Sequence, residues 1–420
     1  MNIRRATNLA FHLSLAAAVG AVSLGCAAGN GKYTTEFQEQ ATERMSRVKA
    51  GTSWDMARQQ FLSGDLEKAL KTVDKSLAHA SDVPKSHVLR GRILVELGRL
   101  ETAIDAFDVA LQIDPEFTQA FYYKGIVFER WAQHERAFES YAFAAGLDPT
   151  DPQFVIAAAE MLIQMGEAER AEAMLLASSS NFEHNAGVQQ TLGHLAVMRG
   201  DLEQAIVCFQ QACLLAPDET ALIEDLARAQ IAKRDFSEAE YSLSRLLRRA
   251  AEKGDERRDL KHLHARCLME LDRPVEARRL YDELTTDDRG NADFAAWLGL
   301  GKTALILDDH YRLNRSASQL VAIAPHRHEG HLLRAIIQRD SGHLRAAART
   351  LDDAIQLTDD DPEPAILQAV IYRQLDEPQQ ALRAARLALK VDPNNAMAAR
   401  FVREANPNVR IADVPIDPDN

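Results

Sequence analysis

The sequence is short of what several protein classes need. Four cysteines in 420 residues cannot cross-link a disulfide scaffold. Aromatic residues make up only 6%, and glycine is scarce at 20, which argues against a β-sandwich or barrel. Positive charge is in deficit: Lys plus Arg is 49 against 62 for Asp plus Glu, a formal net charge of −13. The overall basic footprint of a nucleic-acid binder is therefore missing. No G-x-x-x-x-G-K-S/T phosphate loop occurs, the nearest glycine pair being Gly299-Leu300-Gly301-Lys302 within an expected helix, and there is no dinucleotide fingerprint and no Cys-x-x-Cys pair. What is present is ordinary for a folded soluble chain, with 46% hydrophobic and 26% charged residues.

One long apolar run stands at the N-terminus. Arg4 and Arg5 precede residues 9–25, which are apolar or small apart from His12 and carry no formal charge, and Cys26 follows. A short basic start, an apolar stretch and small residues before a cut site describe a secretory signal. Ser23-Leu24-Gly25-Cys26 resembles a relaxed bacterial lipobox, in which the leader is cut away and the Cys is lipidated on sulfur and acylated at its new amino terminus. Ser23 stands where Leu is usual. More than one acyl chain makes such anchoring stable. Loss of Arg4 and Arg5 takes the formal charge from −13 to −15. Ala27 after the Cys implies sorting to the outer membrane where the envelope has two membranes. A plain cleaved signal and an uncleaved anchor helix are the other readings.

Beyond the leader a period of 34 residues governs the chain. Ala69, Ala103, Ala137, Ala171, Ala205 and Ala239 are each 34 apart; Ala277 and Leu313 follow after 38 and 36, and Ala347 and Ala381 restore 34. Within a period, Leu89, Ile93 and Leu97 recur in steps of four, Gly98 and Arg99 follow, and then come Ala103, Phe107, Ala110 and Leu111. This predicts two amphipathic helices joined by a tight turn. Asp114-Pro115 predicts the stop, because proline cannot continue a helix.

These columns resemble the tetratricopeptide repeat, a helix–turn–helix unit. Phe121, Gly125, Phe128, Ala137, Tyr141, Ala144 and Pro149 carry the match in one period, and Leu192, Gly193, Ala205, Phe209, Ala212 and Pro217 in another. The resemblance implies an all-α, right-handed superhelical solenoid of about ten repeats over residues 50–395. It is expected to follow a signal peptide over 1–25 and a lipidated Cys with tether or N-terminal helix over 26–49, and to end in a capping helix over 396–405 and a disordered tail over 406–420. Small residues at repeat positions 8 and 20 are expected to let paired helices approach, with a large residue at position 24 beside them. Four extra residues around Ala250–Arg258 and two near Asp287–Asn291 interrupt the period.

The resemblance also implies a concave groove lined by the first helix of each repeat. Carried onto this chain, the candidate partner-binding residues are Trp54, Arg58, Phe61, Val88, Arg92, Tyr122, Ile126, Ile156, Arg228, Arg266 and Lys302, with Cys26 for lipid attachment. Their alternative role is packing between repeats. The Lys/Asn carboxylate clamp of chaperone-binding members is not matched, since Val88/Arg92 and Tyr122/Ile126 stand in its place. No catalytic set, metal or cofactor is expected. His328 and His331 are three apart at a helix start with no evident third ligand, and Cys208 and Cys213 are five apart on one helix, too far for easy bridging. The chain is thus expected to be a non-enzymatic, membrane-anchored scaffold for protein or peptide partners in the bacterial cell envelope, with no nucleic acid or small-molecule substrate, resembling lipoproteins of this repeat family. The alternatives are a soluble exported or periplasmic peptide-binding module and a metalloprotein using the His326–His331 cluster.

Overall fold

The computed structural model describes residues 32–178, 182, 184–286 and 289–405. The leader, Cys26 and the 406–420 tail lie outside them. Among the described residues all regular structure is helical, and the helices follow one another as hairpins. These are α1 (Lys32–Leu62) with α2 (Leu66–His79), α3 (Pro84–Glu96) with α4 (Leu100–Ile113), α5 (Thr118–Arg130) with α6 (His134–Leu147), and α7 (Pro152–Gln164) with α8 (Ala168–Ala177). Then come α9 (Ala186–Arg199) with α10 (Leu202–Leu215), α11 (Thr220–Ala232) with α12 (Phe236–Glu252), and α13 (Arg258–Glu270) with α14 (Pro274–Thr286). The last are α15 (Phe294–Ile306) with α16 (His310–Ile323), α17 (His328–Asp340) with α18 (Leu344–Gln356), α19 (Glu363–Gln374) with α20 (Pro378–Val391), and the single helix α21 (Ala396–Ala405). The chain divides into two compact units, one ending at Thr191 and one beginning at Leu192, inside α9.

Each hairpin turns through one residue in the left-handed region. These residues are Gly64, Gly98, Gly166, Gly200 and Gly342, and, without glycine's freedom, Ala132, Arg234, Asp272, Asp308 and Asp376. The next residue's N–H reaches back five positions, as from Arg99 to the Leu94 carbonyl at 2.8 Å and from Gln133 to Phe128 at 2.9 Å. This pair of features is a Schellman turn, which satisfies carbonyls left open at the helix end. A left-handed L-residue costs roughly 1–2 kcal/mol. Ala132→Gly is therefore expected to stabilise the N-terminal unit by about 1 kcal/mol after glycine's own entropy cost, read as a higher melting midpoint.

Close approach within a hairpin comes from a glycine facing a ring. A Cβ on Gly91 would lie 2.3 Å from Phe107, one on Gly125 2.4 Å from Tyr141, and one on Gly193 2.5 Å from Phe209. The alanine column sits between the same helices: Ala69, Ala103, Ala137, Ala171, Ala205, Ala239, Ala277 and Ala347 are fully buried. Each core cluster spans neighbouring hairpins, as Ala103, Phe107 and Ala120 do in one cluster and Ala277, Trp297 and Leu333 in another. One hairpin cannot bury its apolar face alone, so stability comes from stacking.

The two interruptions are local. The first lengthens α12 to 17 residues, closed by Gly254 at φ +70°. The second forms a short 3₁₀ turn, Gly290–Ala292, whose Gly290 carbonyl accepts the Trp297 indole N–H at 2.8 Å. The N-terminal helix expected within 26–49 is continuous with the first hairpin: α1 runs unbroken for 31 residues. No proline interrupts it, and Ala50 is buried while its carbonyl accepts the Ser76 hydroxyl at 2.8 Å.

Candidate interaction face

In the N-terminal unit the first helices of successive hairpins touch, α1 with α3 and α3 with α5. Their side chains form a ladder of rings and cations. Trp54 donates its indole N–H to the Lys85 carbonyl at 3.3 Å. The Lys85 ammonium lies 4.6 Å from the centre of that ring and the Arg58 guanidinium 5.9 Å. Arg92 lies over two rings, 5.0 Å from Phe61 and 4.7 Å from Tyr123. Tyr123 stacks on Phe107 at 6.0 Å and meets Tyr122 edge-on at 5.3 Å. Tyr122 in turn contacts Tyr141 and Phe154 and accepts a hydrogen bond from the Gln153 amide at 2.7 Å. Burial, and then neighbouring Tyr123 and Glu129, push the Tyr122 hydroxyl above its ordinary range. It stays neutral at physiological pH.

Among the described residues the ladder's cations have no carboxylate partner, a condition shared by Arg136, which lies over the Phe128 ring and donates to Gln133. Arg90, Arg99, Lys124 and Arg130 in the same unit each have a carboxylate partner, namely Asp74, Glu67, Asp108 and Glu96. Among the described residues Arg58, Lys85 and Arg92 have ring partners and no ion pair. A cation held over a ring gains about 0.5–1 kcal/mol at an exposed site and keeps its N–H groups for an outside acceptor.

The sequence-derived residues divide into two groups. Trp54, Arg58, Phe61, Arg92 and Tyr122 share the ladder. Val88 is a correction: it is 2% exposed, packs in the core, and has no side-chain surface for a partner. Ile126 is half-buried against two core clusters, and the Ile156 side chain approaches the Gly187 backbone. Lys85, Tyr123 and Gln153 belong to the face but were not among the named candidates. Lys85 and Gln153 each stand second in the first helix of a hairpin, and Tyr123 ends the aromatic run Phe121-Tyr122-Tyr123, a signal that was available.

In the C-terminal unit the equivalent columns are mixed, with Arg228 paired and Arg266 and Lys302 not, among the described residues. Arg228 donates to Glu224 at 2.6 Å, and Glu224 also accepts from Arg257 at 2.8 Å. Arg258 and His262 converge on Asp293, each at 2.8 Å. Arg266 and Lys302 are exposed and have no ion pair among the described residues. Asp293 also caps α15, accepting the Ala296 N–H at 3.0 Å. Burial pushes its carboxyl up, but the bonds from Ala296, His262 and Arg258 outweigh this and hold it below the usual range. A depressed carboxylate stabilises the fold above its unfolded value and loses that contribution as pH falls through the folded value. The unit should thus weaken below about pH 4. Asp293→Asn is expected to cost about 1–2 kcal/mol at neutral pH and to flatten part of that acid loss, seen as hydrogen exchange of α15 across pH.

The other candidate chemistries find their groups engaged or buried. His328 pairs with Asp361 at 2.8 Å, while the His331 ring nitrogen lies 3.4 Å from the Pro325 carbonyl oxygen. No group of three His, Cys, Asp or Glu side chains able to hold a metal occurs among the described residues. Cys208 and Cys267 are buried and Cys213 half-buried, none of the three in a disulfide. Burial pushes the Cys267 thiol up to about 11, which keeps it protonated and a poor nucleophile at neutral pH.

Residues 55–116 and residues 186–219 each match a family model described as tetratricopeptide repeat. Among curated proteins, the BBSome complex member BBS4 of Bos taurus is 22% identical over 206 residues, 49% of this chain and 39% of that protein. The protein CTR9 homolog of Arabidopsis thaliana is 25% identical over 188 residues, 41% of this chain and 17% of that protein. The chain therefore spans well under half the length of either relative. Among solved structures, Pseudomonas aeruginosa pilF is 20% identical with a TM-score of 0.42, covering 48% of this chain and 90% of that one.

Proposed function

We propose that this chain, a tetratricopeptide repeat protein, is a non-enzymatic scaffold that holds a protein partner along the ladder face of its N-terminal unit. The observation that carries this reading is the row of rings and cations, Trp54, Arg58, Phe61, Lys85, Arg92, Tyr122 and Tyr123, with three cations lacking an internal carboxylate. Rigid aromatic anchors flanked by cations are the side chains that dominate protein interfaces. The direct test is proximity labelling in intact cells, comparing wild type with Trp54→Ala, Phe61→Ala and Tyr122→Ala combined. Partners lost from a variant that remains helical support the reading. An unchanged labelling pattern removes it.

The location is part of the same proposal. Cys26, after the apolar leader and Ser23-Leu24-Gly25, is the site of lipid attachment, and the scaffold works at the surface of a bacterial envelope membrane. Cys26→Ala protein is expected to leave the membrane fraction; retention there sinks the lipid anchor. Ser23, in place of the usual Leu, favours a second reading, a soluble exported module with an ordinary cleaved signal. An unacylated mature N-terminus by mass spectrometry selects it.

A further inference from the structure

We infer that the ladder face of the N-terminal unit selects an acidic protein segment, an extended stretch in which carboxylates alternate with apolar side chains. This deepens the scaffold reading and rests on it.

Among the described residues the chain leaves three cations of this face without acids of its own. It has 62 acidic residues against 49 basic ones, so internal partners for a cation are abundant. Some acids on the same helices are engaged, Glu96 with Arg130 at 3.3 Å and Glu129 accepting the Tyr141 hydroxyl at 2.7 Å, while Asp55, three residues before Arg58, is exposed and forms no ion pair with it. Yet Arg58, Lys85 and Arg92, on adjacent hairpins of one face, meet only aromatic rings. Holding a long cationic side chain over a ring restricts it before the partner arrives, which lowers the ordering cost of binding. It also leaves the donors unspent on an internal carboxylate, Arg92 as a planar fork suited to one. The gaps between the cations are lined by Trp54, Phe61 and Tyr122, which suits apolar side chains placed between the acids. A protein segment fits better than a nucleic acid. Single-stranded nucleic acid needs open ring faces on which bases stack, whereas cations lie over the rings of Trp54, Phe61 and Tyr123 and Tyr122 is hemmed by Tyr123, Tyr141 and Phe154.

The test is selection of a bead-displayed random 12-residue peptide library on the purified full-length protein. It is run in parallel on the triple variant Arg58→Met, Lys85→Met and Arg92→Met, which keeps the apolar stems. Retained wild-type sequences are expected to hold at least twice the input share of Asp and Glu, interspersed with apolar residues. The best of them, as a labelled peptide, should bind about tenfold more weakly to the triple variant and be weakened by salt. Arg92→Lys, which keeps the charge, should bind better than Arg92→Met. Circular dichroism and the melting midpoint confirm that each variant is folded. Neutral or basic selected sequences, no enrichment at all, or acidic enrichment unchanged in the triple variant each overturn the inference. So does a 20-residue oligothymidylate that binds wild type more tightly than the selected peptide. If Trp54, Phe61 and Tyr122 are needed for partner capture in cells while the library shows no acidic preference, the scaffold reading stands and this inference falls alone.

Discussion

Gly91→Ala is expected to destabilise the N-terminal unit by about 1–3 kcal/mol, the range for overpacking a well-packed core. Helix propensity alone points the other way, since Ala is favoured over Gly in a helix by about 0.8–1.0 kcal/mol. Contact decides the sign. The new methyl would lie 2.3 Å from Phe107, and Phe107 is fully buried with nowhere to retreat. Gly91→Val should cost more. The matched test is Gly91→Ala with Phe107→Leu, which should be less destabilising than the sum of the two changes because the smaller side chain makes room. In a stacked array each hairpin contacts its neighbours, so faster hydrogen exchange should centre on α3 and α4 and fade along the chain. A raised melting midpoint for Gly91→Ala would show that these helices do not approach as closely as described.

Trp297→Ala should have the largest effect in the C-terminal unit, about 3–5 kcal/mol, the usual cost of deleting a fully buried large aromatic. Trp297 is 2% exposed. Its ring fills the core between α14 and α15 with Tyr281 and Leu300, the Arg315 guanidinium lies 4.9 Å from its centre, and its N–H holds the Gly290 carbonyl. Trp297→Phe separates these contributions. It keeps an apolar ring and loses the donor, leaving the Gly290 carbonyl with the Asp293 N–H at 3.1 Å, so the lost bond should cost about 0.5–1.5 kcal/mol. Hydrogen exchange over residues 289–306 reads both variants. If Trp297→Phe matches wild type there, the indole hydrogen bond does not hold the 3₁₀ turn.

Helix positions and the buried alanine column were legible in the sequence because both follow from a repeated side-chain requirement. Ala137 must be small and Phe107 large wherever two helices meet, and such needs recur at fixed spacing. The left-handed turn was only half legible. Gly64, Gly98, Gly166, Gly200 and Gly342 advertise it, but Ala132, Arg234, Asp272, Asp308 and Asp376 adopt the same backbone with side chains that give no sign of it. A backbone demand backed by ten hairpins' packing overrides local preference. The candidate face was less legible still. Position in the period correctly marks the helix that carries Trp54, Phe61 and Tyr122, yet it cannot tell Val88, buried in the core, from Arg92, which lies over two rings. That distinction depends on how neighbouring hairpins rotate against one another. The ring-over-cation contacts join residues some 30 positions apart, Trp54 with Lys85 and Phe61 with Arg92, which spacing within one period does not relate.

The contrast between turns and junctions has a practical consequence. Within each hairpin the turn is the same length and bonded in the same way, while the connections between hairpins have absorbed four residues in one place and two in another. Within this chain extra residues therefore stand at the seams and none at the folds. A foreign segment or an extra hairpin should be tolerated by splicing at Lys253–Asp255 or beside Asp359–Asp360, both exposed, and rejected at Gly98 or Ala132. The hairpin, from first helix through turn to second, is the piece of this chain that can be copied, deleted or exchanged whole.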